Sequence, residues 1–415
     1  MLWDSSVVRY PLLREVEQME PAMANPKTVP NDLSRSLAAL DMDTTLIAVI
    51  EMSQTSWLVG SIVPGVERQP LKKLAIDAHA LLQLLHRWRA EAKKAGRTVT
   101  RIAVAFEAGH DGFWLARWLG NNGIEVHVIH AASVAVSREH RRAKTDRLDT
   151  EMLKRAFVGW LRGERNHCKM VAVPTLAEED AKRPSRERER LVMERSKIIT
   201  RLKATFVRLG IRAFNPKIAK AAEKLDALRT PDGEPIPPNT LAELRRNFER
   251  QALIKQQIQA VEKTRLERLA IVSADGPSAM VRLLSRIVGI GVETADMLVQ
   301  EVLSRTIRDR RALARYAGLT GSPDESGAKR RQKGLSRAGN ARVRCGMIQL
   351  AWRFLMFQKD SALAVWYRQR TANAATTRKT LVVALARKLL IALWHFVRDG
   401  IVPDGVRLRP EMIAA

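Results

Sequence analysis

Cysteine is almost missing from this sequence: Cys168 and Cys345 are the only two in 415 residues. That excludes a disulfide framework, and no CxxC spacing or nearby histidine cluster offers a structural zinc site. A reducing cytoplasm is the expected setting. No uninterrupted apolar run reaches the ~18 to 20 residues that a spanning helix needs. The nearest, residues 381–397, carries Arg387 and Lys388 in its middle and reads as a buried helix with one basic edge. The first residues lack the basic n-region and apolar h-region of a secretory signal, and no GxxxxGK run marks a nucleoside-triphosphate site. Acids are scarce too. The chain has 44 Asp and Glu against 71 Lys and Arg, a formal charge of +27. Each phosphate neutralised by Lys or Arg releases a counterion, so such a surplus predicts a nucleic-acid partner rather than a membrane.

The length allows two or three domains. Residues 1–33 hold four prolines without periodicity and read as a flexible tail. Three apolar β-rich runs follow at 37–43, 46–52 and 56–63. Next come a helical pattern over 71–95, a strand at 101–106, a helix at 112–119, a strand at 124–129, and helices over 131–139 and 146–158. The order βββαβαβα predicts a mixed sheet covered by helices, the element order of ribonuclease H-like nucleases. The full expectation is α/β plus mainly α. A mixed-sheet domain spans 34–172. A charged helical region at 173–275 forms a hairpin, a coiled coil or an ordinary linker, around the proline-rich break at 230–238. A helical domain spans 276–400, and a tail 401–415.

Four carboxylates stand out by arrangement. Asp41 closes the first predicted strand, with Asp43 its rival on the same side. Glu107 follows the fourth strand, and Asp146 and Asp149 share one face at a helix start. Converging carboxylates repel one another unless a divalent cation neutralises them, and Mg²⁺ is the usual partner beside phosphates. Taken singly, each is as readily a solvated or capping acid. Lys144, in the basic stretch just before, would sit against a bound phosphate.

In the last third, Gly289 and Gly291 in the sequence IVGIG (287–291) fit a tight turn, of the helix-hairpin-helix kind, that brings amides to a phosphate. The loop 321–330 follows. From Ser326 to Arg370 there are 11 Lys and Arg and one acid, Asp360. Lys329, Arg330, Arg331, Lys333, Arg337, Arg342 and Arg344 are the candidate phosphate contacts, with Trp352, Phe354 and Trp366 interleaved as stacking or core residues. Ser326 has no GxSxG elbow or neighbouring histidine, and by residues alone ranks with Ser322 and Ser336.

These motifs resemble the insertion sequence 110 family of transposases, whose N-terminal domain is similar to the Holliday-junction resolvase RuvC. The likeness rests on ALDMD at 39–43, FEAG at 106–109 and KTDRLD at 144–149. It continues in the glycine pair, the GLT turn at 318–320 and the basic segment SRAGN at 336–340, covering roughly residues 37–398. Ala39 and Ala338 depart from the family's pattern. The resemblance implies a metal-binding tetrad of Asp41, Glu107, Asp146 and Asp149 and a nucleophilic serine at Ser326. It further implies element-end and target DNA as substrates, an element-encoded guide RNA, and a homo-oligomer, dimer or tetramer. Two other readings remain open: a junction nuclease using metal-activated water, and a non-catalytic nucleic-acid scaffold.

Overall fold

The computed structural model describes residues 34–109, 112–134, 145–218, 220–271, 275–326, 329–336, 338–372 and 378–410, with the backbone alone for Pro323, Glu325 and 329–333. The chain divides at residues 179 and 180 into two compact units.

In the first unit the strands β1 (Thr45–Met52), β2 (Trp57–Ile62), β3 (Leu71–Leu74), β4 (Arg101–Glu107), β5 (Glu125–Ile129) and β6 (Met170–Val171) form one sheet in the order β3-β2-β1-β4-β5-β6. β1 runs antiparallel to β2 and parallel to β4, which is parallel to β5. Alternation along the strands sorts their side chains by face. Leu46, Ala48 and Ile50, with Ile102, Val104 and Phe106, pack under the helix α1 (Ala78–Lys94) through Leu81, Leu85 and Trp88. Ile47 and Val49, with Ala103 and Ala105, pack instead under α3 (Asp146–Leu161) through Leu153, Phe157 and Trp160. Between them in the chain, α2 (Trp114–Asn121) links β4 to β5. Both faces of the central strands are covered, which is why they read as continuous apolar runs.

The expected element order holds among the described residues, where the helix expected over 131–139 shows only a 3-10 turn at Ala131–Ser133 and residues 135–139 lie outside them, but two further members differ. Residues 37–43 are not a strand: the chain turns at Asp41 and enters β1 only at Thr45. The third strand is Leu71–Leu74, which the sequence pattern merges into the following helix. That helix starts at Ala78 because the Asp77 carboxylate accepts the amides of His79 and Ala80 and caps it.

α4 (Leu176–Asp180) closes the first unit, and the second opens with α5 (Arg183–Arg208) and α6 (Pro238–Ala270). The last two pack antiparallel. Arg188 meets Glu262 at 2.6 Å and Arg201 donates to Asn247 at 3.2 Å, over a seam of Leu191, Ile198, Leu202 and Phe206 against Leu244, Phe248 and Ile258. Next come α7 (Gly276–Ser285) and α8 (Val292–Leu298), the latter running into a π-helical turn at Val299–Leu303, and then α9 (Arg310–Tyr316). A two-stranded ribbon of β7 (Gly321–Ser326) and β8 (Lys329–Leu335) leads to α10 (Ala341–Phe357), α11 (Ala362–Thr371) and α12 (Arg378–Asp399). α12 is long and apolar enough to cross a membrane, but its Leu385, Leu389, Leu390 and Leu393 are fully buried among the helices of this unit.

Residues beyond 400, expected as a tail, are partly built in. Val288 donates to the Arg407 carbonyl and Ile287 pairs with Leu408. The fully buried Gln358 amide bonds the carbonyls of Val288 and Arg407, and its oxygen accepts the Arg407 amide.

Candidate active site

Glu51 and Glu107 meet at one end of the sheet. β1 and β4 are in parallel register up to Ile50 with Phe106, and the next residue on each strand is a glutamate. Adjacent strands lie about 4.8 Å apart. Glu51 continues the face of Ile47 and Val49, and Glu107 that of Ala103 and Ala105, which is the face covered by α3. Both line one cleft with Met52, Ser53, Gln54, Ala108 and Gly109.

α3 brings its first turn to the same end. Thr150 approaches β2 so closely that a Cβ on Gly60 would lie 2.7 Å from the Thr150 methyl, and Gly60 is paired with Val49, two residues before Glu51. Further along the helix, the Trp160 carbonyl accepts the amide of Ser36, ahead of β1. The helix therefore runs opposite to β1. Its N-terminal Asp146 and Asp149 project from the end where Glu51 and Glu107 emerge, the former exposed and the latter half-buried.

Asp41 is not part of this group. It precedes β1, at the opposite end of a strand about 25 Å long. Its carboxylate is committed locally, accepting the Asp43 amide at 2.9 Å and the Thr44 hydroxyl at 2.8 Å. The Thr44 hydrogen bond, then that of Asp43, holds its pKa below the ordinary value. Asp43, the rival, pairs with Arg97 at 3.3 Å at that same end. Both are turn residues by geometry, and the acid beside Glu107 at the sheet end is Glu51, which the sequence pattern did not single out. Its signal was the alternation Ile47, Val49, Glu51 at the end of an apolar strand.

Among the described residues no three His, Cys, Asp or Glu side chains are gathered as a metal cage. The donor set at this end of the sheet is nonetheless all carboxylate, the chemistry of a hard divalent cation rather than of zinc. Lys144 lies outside the described residues.

In the second unit, the expected loop at 321–330 is the β7–β8 ribbon. Ser326 is exposed and pairs with Lys329 at its far end. Lys329, Arg330, Arg331 and Lys333 all fall on β8; Arg337 lies outside the described residues. At the near end, Ser336 donates its amide to the Thr320 carbonyl.

Comparison with known proteins bears on both units. Residues 281–366 match the model described as "Transposase IS116/IS110/IS902 family", and residues 67–210 match a transposase model of the DEDD type of the same group. The chain is also 38% identical over 392 residues, 91% of its length and 98% of the relative's, to the Sinorhizobium fredii protein named "Putative transposase y4rJ". The chain belongs to the IS110 family of transposases. It is thus a DNA transposase with DNA as its partner, and the DEDD type points to a divalent-metal cofactor. The DEDD match spans Glu107, Asp146 and Asp149 but begins after residue 51.

Two expected phosphate contacts of the transposase are otherwise engaged. Arg342 lies 2.8 Å from Glu189 and donates to the Ser185 carbonyl at 3.3 Å, so it joins α10 to α5 rather than facing an open groove. Arg344 reaches the Ala338 carbonyl at 3.4 Å. Beside Arg342 lies Glu301, 2% exposed in the π-helical turn. It accepts two hydrogen bonds from Arg186, at 2.8 and 3.0 Å, and one from Asn340 at 3.0 Å. Burial acts to raise its pKa, but Arg186 and Asn340 outweigh it and the carboxyl is held below its ordinary value. The glycine turn is tight as expected: Gly289 has φ +97°, and a Cβ there would touch Phe357. Gly291 has an ordinary φ of −91° and caps α8.

Proposed function

We propose that this transposase cuts and rejoins DNA through Ser326, assisted by a metal-binding group of Glu51, Glu107, Asp146 and Asp149. The observation that carries the acidic half is the shared face and shared sheet end of Glu51 and Glu107 beneath the first turn of α3. Mg²⁺ held by these four carboxylates would supply positive charge to a scissile phosphate. The serine half rests on family likeness, together with the exposure of Ser326 at the end of the ribbon.

In the reaction, the Ser326 oxygen forms a bond to phosphorus and the bond to one strand's sugar oxygen breaks. The departing oxygen takes up a proton. A hydroxyl of another strand later attacks the phosphoserine, which restores Ser326 and reseals DNA without ATP, because the ester linkage is conserved. The β8 cations, Arg337 and Lys144 would hold phosphates, and the turn at Gly289 and Gly291 would grip the backbone in the manner of a helix-hairpin-helix. Arg342 has a structural role in this scheme.

The functional division follows 34–172 for the acidic ribonuclease H-like domain, 173–275 for a coiled-coil arm suited to homo-oligomers, and 276–400 for the serine-bearing domain. A guide RNA that selects element end and target completes the reading, and the work is done in the cytoplasm. The test is to trap the intermediate on denaturing gels with element-end DNA. A protein–DNA adduct should map to Ser326, vanish in Ser326→Ala and require a divalent cation. Metal-dependent cleavage that survives Ser326→Ala without an adduct would transfer the reaction to water and make the protein a junction nuclease.

A further inference from the structure

α10 turns two kinds of surface outward. Val343, Met347, Leu350 and Phe354 enter the core, while Trp352 and Met356 are left 45% and 67% exposed on the other side. Four residues apart, they form one stripe, and Phe357, 47% exposed, stands beyond it as the last residue of the helix. The Trp352 ring is held edge-on to Tyr367 of α11, with centroids 6.4 Å apart. Phe357 lies against Gly289, so the stripe continues into the glycine turn. Its surroundings are cationic. Arg353 and Lys359 are exposed beside it, and between residues 341 and 372 six Lys and Arg accompany the single acid Asp360.

We propose that this stripe is a stacking surface for unpaired bases of single-stranded DNA. Aromatic faces set among Lys and Arg are how proteins hold unpaired strands, with the rings taking the bases and the cations following the phosphates. The same local surplus argues against this face of a second copy as occupant, since six Lys and Arg with one acid would meet their like. Duplex DNA offers its base faces to one another and not to a ring. The proposal rests on the strand-exchange function above, in which cut strands leave their old partners before they are rejoined, but it does not need Ser326 to be the nucleophile.

The test therefore uses the full-length Ser326→Ala protein, which cannot form the proposed adduct. Fluorescence anisotropy would follow four labelled probes of about 20 nucleotides, longer than one stacking groove: a thymidine strand, an abasic strand of equal length and charge, a uridine RNA strand, and a duplex. Trp352→Ala and Phe357→Ala should each weaken the thymidine strand by roughly fivefold to a hundredfold and leave the abasic strand and duplex unchanged. Trp352→Phe, which keeps a ring and the helix surface, should retain most of the affinity. Equal losses on the thymidine and abasic strands would overturn the proposal, because the residues would then serve charge or folding alone. So would a loss seen only with a uridine RNA strand. A change in sedimentation with DNA binding intact would overturn it as well, and would assign the stripe to a second copy.

Discussion

Glu51 and Glu107 occupy neighbouring parallel strands, one residue past the paired Ile50 and Phe106, on the face that α3 covers. Replacing either by glutamine should lower strand transfer at least about a hundredfold, since a metal-holding carboxylate supports several kcal/mol of charge stabilisation. Asp41→Asn should leave transfer nearly intact. The comparison is a strand-transfer assay at saturating Mg²⁺, with DNA binding measured in parallel. An active Glu51→Gln protein beside a dead Asp41→Asn protein would reverse the assignment.

The two glycines of the turn should respond differently to alanine. Gly289 has a positive φ and its missing Cβ would press on Phe357, so Gly289→Ala should destabilise by about 1 to 3 kcal/mol, the range for strained backbone. Gly291→Ala meets open space at a permitted φ, and should stay within about 0.5 kcal/mol. Thermal melting of the two variants separates them, and equal melting temperatures would contradict the turn geometry.

Glu301 is the buried acid on which Arg186, Asn340 and Arg342 converge. Glu301→Ala leaves the Arg186 guanidinium and the Asn340 amide without this acceptor and should cost about 1 to 3 kcal/mol, the range for hydrogen bonds lost to a charged group, since the Arg186 side chain is 46% exposed and can rehydrate. Denaturant midpoints would show it. Because Asn340 lies just after the ribbon and caps α10, protease cleavage within 321–340 should also become faster. A variant with an unchanged midpoint and unchanged cleavage would remove the network from the account of how the ribbon is anchored.

At the far end of the sheet, burial acts to raise the Glu125 pKa, but hydrogen bonds from Arg101 and His127 overcome it and bring the pKa down to about 2. A depressed carboxylate pKa stabilises the folded state above the unfolded value, near 4.5, and that contribution is lost as pH falls toward 2. The Glu125 side chain is 40% exposed, so solvent screening limits the contribution to about 1 kcal/mol. Glu125→Gln should melt below wild type at pH 7, and the two should converge between pH 4.5 and 2. A gap that persists at pH 2 would assign the loss to packing instead.

Much of the first unit was legible in the sequence. The runs that became β4, β5, α1 and α3 follow strand and helix periods because one or both of their faces are buried. What failed was local. Residues 37–43 are apolar enough to suggest a strand, yet Asp41 hydrogen-bonds its own backbone two residues on and turns the chain. Leu71 and Leu74 sit three apart and imitate a helix, although they pair with β2 on the sheet edge. The slip mattered for the site. Placing the first strand too early moved its terminal acid from Glu51 to Asp41. β7 and β8 are almost wholly polar, GSPDES and KRRQKGL, so no alternation of apolar residues announced the ribbon that carries Ser326. Arg342 belongs to a basic run, and only its distances to Glu189 and Ser185 reveal that it is spent inside the protein.

The pairing of Val288 with Arg407 sets an order in which the molecule can become competent. The glycine turn forms locally, but the Val288 amide finds its acceptor, the Arg407 carbonyl, only when the segment 406–409 arrives, more than a hundred residues later in synthesis, and the buried Gln358 amide completes its hydrogen bonds at the same point. Contacts of such long sequence separation form late. A nascent chain that has not yet delivered this segment would present the ribbon, and with it Ser326, while the glycine turn is still open at its back, so closure of the turn waits on the segment 406–409 rather than on the ribbon.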